Sequence, residues 1–274
     1  MRARLETAGQ IAPPAIVPGL RRNWHDTQRV ADALARLTGD TRYPLVRRLV
    51  HGLEFCSLLT ECPRRKLRSL DTKALGELVD VIESASRENA GRWFADRQPP
   101  SGAAVMLFRQ TAGDVVRLHP RLVPRRSWGE RFRLGWAAVK LARGSGIVPA
   151  LMPGVGPTTF EALERPLGPL PAEITQPLDN YFESFALSLR YAALGYARWS
   201  LVEGFGNLAL QYPVALWLLR WASKTPTVDE LIPLICCLDR AHGYAPFTGW
   251  RQRRRVSILS GTEQLQRLVT WYAR

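Results

Sequence analysis

The chain has 274 residues, 46% of them hydrophobic, so it can bury a substantial core in one large domain or two small ones. Its formal net charge is +14, and 34 of the 38 basic residues are Arg, with Lys only at Lys66, Lys73, Lys140 and Lys224. Four cysteines are too few for a secreted disulfide scaffold of this length, which places the expected protein in a reducing, cytoplasmic compartment.

Residues 1–23 hold three prolines and no helical period, and read as an extended, unprocessed arm; the apolar stretch from Ile11 to Leu20 is too broken by proline for a signal peptide. The helical region is expected over 24–274. Val30, Leu34 and Leu37 mark a first helix ended by Gly39 and Asp40. Pro44 suits the first turn of a second, whose face runs Leu45, Leu49, Leu53 or Glu54, then Cys56 and Leu59, up to Cys62-Pro63. Asp71 is a good N-cap for a third from Thr72 to about Asn89, with Leu70 and Leu75 spaced as a hydrophobic staple. Gln98-Pro-Pro-Ser-Gly102 is a loop. Residues 103–115 have mixed periodicity and read equally as a short strand or as buried helix.

Ser127 and Glu130 have capping-box spacing before a helix with Trp128, Phe132, Trp136 and Val139 on one face, which packing into the core would explain. Residues 144–171 are rich in Gly and Pro and form a long connection with one short helix near Thr159–Glu164. From Leu178 to Ser223 the chain is apolar and nearly uncharged. Leu178, Phe182, Phe185, Leu189, Ala192, Tyr196 and Trp199 step along one helix face, Gly204 and Gly206 break it, and Leu208, Tyr212, Ala215, Leu219 and Ala222 resume it. The expectation is a central antiparallel helix pair. Its charge-free run contains Asn207, Gln211 and Pro213 and falls short of the roughly 20 residues a bilayer core requires. Thr227 with Glu230, and Ser260 with Glu263, are further capping boxes, the first opening a helix with Pro233 as a kink and the second opening the last helix. The expected fold is therefore mainly α, a single multi-helix domain of about seven to nine helices.

Charge is unevenly placed. Residues 173–240 carry seven acids and five bases, so the rest of the chain holds about +16. Between Arg117 and Arg143 lie Arg117, His119, Arg121, Arg125, Arg126, Arg131, Arg133, Lys140 and Arg143 against one acid, Glu130. A basic helix with Trp and Phe opposite could lie on an anionic membrane or receive an acidic partner. Arg251, Arg253, Arg254 and Arg255 follow Trp250 and read as an exposed loop, or as phosphate contacts beside a ring that stacks on a base, although no nucleic-acid motif accompanies them.

The residues with the narrowest chemistry do not form a known motif. His51, Cys56, Cys62, Cys236 and Cys237 lack the Cys-x-x-Cys pairs that curl round zinc or an iron-sulfur cluster, and free cysteines are commonly core residues. Gly154-Val-Gly-Pro-Thr-Thr159 lacks the lysine of a phosphate-binding loop and reads as a linker. Asp239 and His242, three apart at a helix end, share a face suited to acid-base work, and equally suit a helix terminus closed by Gly243.

Two stretches, Leu45-Val-Arg-Arg-Leu-Val-His-Gly-Leu-Glu-Phe-Cys-Ser-Leu-Leu-Thr-Glu-Cys62 and Asn180-Tyr-Phe-Glu through Leu219, resemble the helical region of cysteine-cluster proteins related to flagellin lysine N-methylases. The resemblance covers most of the chain after about residue 40 and rests on helical pattern and a few residues. It implies an iron-sulfur or zinc cluster held by a cysteine-rich segment ahead of the helices. No cysteine cluster precedes Cys56, so no ligand is carried over; an in-frame cysteine-rich stretch upstream of Met1 would restore that reading. The functional classes are then a binding or scaffold module with an acidic partner, a lysine N-methylase-like enzyme with a metal cluster and a methyl donor, and a protein peripheral to a membrane without a transmembrane segment.

Overall fold

The computed structural model describes residues 12–118, 128–152, 155–165, 168, 170–223, 225–243 and 249–274. Among them the architecture is mainly helical. The elements are α1 (Trp24–Thr38), α2 (Leu45–Glu61), α3 (Arg64–Ser69), α4 (Thr72–Asn89), α5 (Arg92–Ala95), α6 (Gly102–Val116), α7 (Trp128–Arg143), α8 (Phe160–Glu164), α9 (Ala172–Leu187), a 3₁₀ segment η1 (Arg190–Ala197), α10 (Leu201–Ala222), α11 (Val228–Gly243), α12 (Trp250–Gly261) and α13 (Gln264–Tyr272). The count exceeds seven to nine because α3 and α5 are too short to show a period and α12 falls where a loop is expected, while the short α8 lies where the sequence places it.

Where capping and periodicity agree, expectation and structure coincide. Asp71 accepts the Ala74 N–H at the start of α4, and α2 runs from Pro44 to Cys62. Helices α1, α2 and α4 pack together, with the buried stripe Val30, Leu34 and Leu37 facing Leu49 and Val79 in one apolar core.

The centre is held by the single helix α10, on which α9 packs together with other elements. The chain breaks at 188–200, flanked by Leu189 (φ 55°) and Arg198 (φ 66°), and not at Gly204 and Gly206, which lie inside α10. Nineteen of the 22 residues of α10 are buried, as expected for a helix apolar on all sides. It is wrapped by α2, α6, α8, α9, α11, α12, α13 and η1. The two glycines serve close approach. A Cβ at 204 would sit 2.5 Å from the Tyr191 carbonyl oxygen, and one at 206 would sit 3.2 Å from Val256 and Leu265 side-chain carbons.

The N-terminus of α10 is closed by two devices. Ser200 and Glu203 form a complete capping box, and the Leu201 and Val202 N–H groups donate to the carbonyls of Ala15 (2.8 Å) and Ile16 (3.3 Å). Residues 12–23 are therefore packed and not a free arm, with Ile16, Val17 and Leu20 in the core; residues 1–11 lie outside the described set. In the connection after α7, Ile147 bridges Thr159, and α8 follows with Thr159 as its N-cap.

Gly204→Ala sets helix propensity against the close approach. Alanine gains about 1 kcal/mol in a helix interior, but the clash is with backbone and cannot be relieved by a rotamer change. The expected outcome is a net loss of about 1–3 kcal/mol, read as a lower urea midpoint at unchanged slope.

Candidate functional site

Helix α7 carries two apolar stripes. Leu134, Ala137 and Leu141 step by three and four on one side, and Trp128, Phe132, Trp136 and Val139 step by four, four and three on another. Both have helical period, so the period does not decide which is buried. Packing decides it. Leu141 lies on Gly113 of α6, so closely that a Cβ there would fall 2.6 Å from its Cδ1, and only the side with small residues allows that approach. Ala137 and Leu141 are buried, while Trp128, Phe132, Trp136 and Val139 are 84, 82, 57 and 45% exposed. The aromatic stripe expected in the core stands in solvent.

The C-terminal half of α7 meets α6 and the start of α12 around a groove of about 690 Å³, with Met106, Leu107, Val139 and Ile258 among its apolar walls. Trp250, 68% exposed, stands at the groove with the Arg251 guanidinium 5.7 Å from its ring centroid. Arg143, Arg251 and Arg254 also line it. Its one acid, Asp114, is already engaged by Arg255 (2.6 Å) and Arg117 (3.4 Å). Among the described residues no carboxylate pairs with Arg133, Lys140, Arg143, Arg251 or Arg254.

The arginine cluster expected as a loop is helix α12, and the helix divides it by face. Arg253 turns inward to Glu203 (2.8 Å) and so supports the capping box of α10. Arg255 donates to Asp114 and to Gln252 (3.3 Å), whose amide donates to Asn207 of α10 (3.0 Å). Those two are structural; Arg251 and Arg254 remain outside. Arg121, Arg125 and Arg126 lie outside the described residues, as does Ser127 of the expected capping box, and Arg131 falls within α7.

The metal candidates do not converge. His51 and Cys56 stand five apart on α2 and so point to different sides. His51 is fully buried, edge-on to Tyr43 with ring centroids 5.0 Å apart, and neither ring nitrogen has a hydrogen-bond partner. All four cysteines are free thiols. Burial pushes Cys56 and Cys62 above the usual thiol range and Cys237 up to about 12, which disfavours the thiolate that a metal needs. Cys236 is exposed on the far side of its helix turn. Among the described residues no group of three His, Cys, Asp or Glu side chains could hold a metal ion, so the residues present do not fit a cluster.

Asp239 faces Arg190 of η1 at 3.2 Å, and the side chain of His242 lies outside the described residues. Of the linker read as a phosphate cradle, Gly154 is likewise outside, and the Thr159 hydroxyl occupies the Ala162 N–H as a cap. No family model, curated protein or solved structure matches this chain.

A second cavity, about 360 Å³, opens between α2, α10, α12 and α13, next to Cys56, Glu203 and Gln266. The polar groups on its inner wall are committed to the fold, while Glu61 and Arg64 stand exposed beside it. Glu203 holds Arg253 and Ser200, and Gln266 donates to Ser57 (3.0 Å) and Glu54 (3.3 Å), while Glu54 also accepts from Trp93 (2.6 Å). Periodicity gave no sign of this network, because Glu54 and Gln266 occupy positions that a helical wheel assigns to apolar residues.

Burial, together with the charges of Arg47 and Arg87, lowers His51 from 6.5 to about 4. The folded protein therefore binds this proton less readily than the unfolded chain. His51 leaves stability level above pH 6.5 and lowers it as pH falls from 6.5 towards 4, at no more than about 1.4 kcal/mol per pH unit. His51→Phe, followed by thermal melts across that range, should flatten this part of the profile.

Proposed function

We propose that this chain is a binding module for an anionic partner, and that its contact surface is the outer side of α7 with the neighbouring start of α12. One observation carries the reading: the side chains that most favour leaving water, Phe132 and Trp136 with Trp128, are turned outward on the helix that also carries Arg133, Lys140 and Arg143, which meet no carboxylate among the described residues. Leaving large apolar side chains exposed forgoes about 1.5–3 kcal/mol each. Contiguous apolar patches of this kind mark contact sites on folded proteins.

The charge pattern supports the same surface. Several arginines elsewhere are engaged, Arg48 by Glu183 and the Thr38 carbonyl, Arg109 by Glu164, and Arg36 and Arg87 by Glu83, while Arg64, Arg65, Lys66 and Arg68 of α3 are exposed with no carboxylate partner among the described residues and no large aromatic stripe beside them. Arg133, Lys140 and Arg143 of α7 and Arg251 and Arg254 of α12 likewise have no carboxylate partner among the described residues, and they stand beside exposed aromatic rings. A catalytic reading has no comparable support, because Asp239 is held by Arg190 and the candidate cysteines are separate and largely buried. The likeness of 45–62 and 180–219 to the cysteine-cluster proteins concerns α2, α9 and α10, which are core elements and carry no surface chemistry.

Labelled poly-L-glutamate tests this reading without presupposing a natural partner. The intact chain should bind it at about 50 mM salt and weaken by roughly tenfold or more by about 200 mM. The triple substitution R133E/K140E/R143E, all at exposed positions, should abolish binding with an unchanged melting temperature. No binding at low salt, or full binding by the triple variant, would overturn it.

A further inference from the structure

We infer that the anionic partner is a lipid bilayer surface, on which α7 lies parallel to the membrane plane; this rests on the binding-module reading above. The shape of the patch argues for it. Phe132 and Trp128 are more than four-fifths exposed and Trp136 more than half, so the rings protrude from a convex helix and do not line the floor of a concavity. A protein partner would need a matching pocket for each protruding ring. The interfacial zone of a bilayer accepts such protrusions without a preformed complement, and Trp and Phe on one side of a basic helix are the residues that enter it.

The basic groups stand where headgroup phosphates would meet them. Arg133, Lys140 and Arg143 share the exposed side of α7 with the rings, and their long stems can lie along the apolar boundary while the charged ends reach phosphate. The stripe ends at Val139, which together with Arg143 forms part of the groove wall shared with Trp250, Arg251 and Arg254. A second protruding ring with two arginines thus adjoins the first. Each basic residue near an anionic surface contributes about 1 kcal/mol of attraction, and here, among the described residues, none is spent on a carboxylate.

The helix does not cross the bilayer. Its 16 residues span about 24 Å, less than the roughly 30 Å hydrocarbon layer, and none of the described helices is long and apolar enough to span. Its opposite side is also committed, through Ala137 and Leu141, to α6. The depth of entry is therefore limited to the exposed rings, which is the geometry of a peripheral protein whose fold does not change on binding.

The test is co-sedimentation with phosphatidylcholine vesicles, with and without phosphatidylserine, using the whole chain. Binding is expected only with phosphatidylserine present, accompanied by quenching of tryptophan emission by lipids brominated on the acyl chain. Phe132→Ala with Trp136→Ala should weaken vesicle binding roughly tenfold or more and leave poly-L-glutamate binding within about twofold, because both rings are exposed and the charges remain; an unchanged melting temperature confirms that the fold is intact. Arg133→Glu with Lys140→Glu should lose both ligands. Poly-L-glutamate binding without vesicle binding overturns the membrane inference and leaves an acidic protein as the partner. Vesicle binding that survives loss of both rings also overturns it. Failure to bind either ligand overturns the module reading as well.

Discussion

A helix that is apolar on every side has no face to show to water, and this requirement on α10 organises the rest of the molecule. Phe205, Leu208, Ala209, Val214, Trp217 and Leu218 are all buried, on all sides of the helix. The surrounding layer must therefore close completely, and it is supplied by segments from residue 15 to residue 272. Several polar groups that α10 brings inside are answered from that layer, Glu203 by Arg253, Asn207 by Gln252, and the leading amides by the carbonyls of Ala15 and Ile16, whereas Gln211 Oε1 and Trp217 Nε1 are buried with no hydrogen-bond partner among the described residues.

Helices with one apolar stripe and a clear cap were legible in the sequence. Asp71 and the Leu75, Val79, Ile82 stripe define α4 to the residue. The α9–α10 region is not legible for the opposite reason: where nearly every residue is apolar, period carries no information, and the two glycines suggest a break that the structure does not have. Ser200-Leu-Val-Glu203 has the same capping-box pattern as Thr227 to Glu230, and it marks the true start of α10. The Ser260–Glu263 pair has that pattern too but forms no box, because Ser260 belongs to α12 and Glu263 turns its carboxylate to Arg92 (3.0 Å). Spacing alone therefore does not establish a cap.

The candidate surface shows a different limit. Both stripes of α7 are periodic, and the choice between them was made by a glycine on another helix, Gly113, whose missing side chain admits Leu141. Likewise the arginines of α12 look equivalent in sequence, and they separate into anchors and free charges only when Glu203 and Asp114 are in place to receive Arg253 and Arg255. These are tertiary facts. Local pattern supplied the right residues and could not say which way they face.

The central position of α10 also bears on how the chain reaches its native state. Emerging from the ribosome, α10 is complete at Ala222, yet α11, α12 and α13, which cover much of it, are made only afterwards. Its contacts with residues 15–16 and with α2 are far apart in sequence, so loop closure is costly and folding is expected to be slow for a helical protein. Until α13 is synthesised, the most apolar helix of the molecule has only a partial cover. The nascent chain is thus most prone to aggregate while the segment from α11 to α13 is still being made, when holding by a chaperone would matter most.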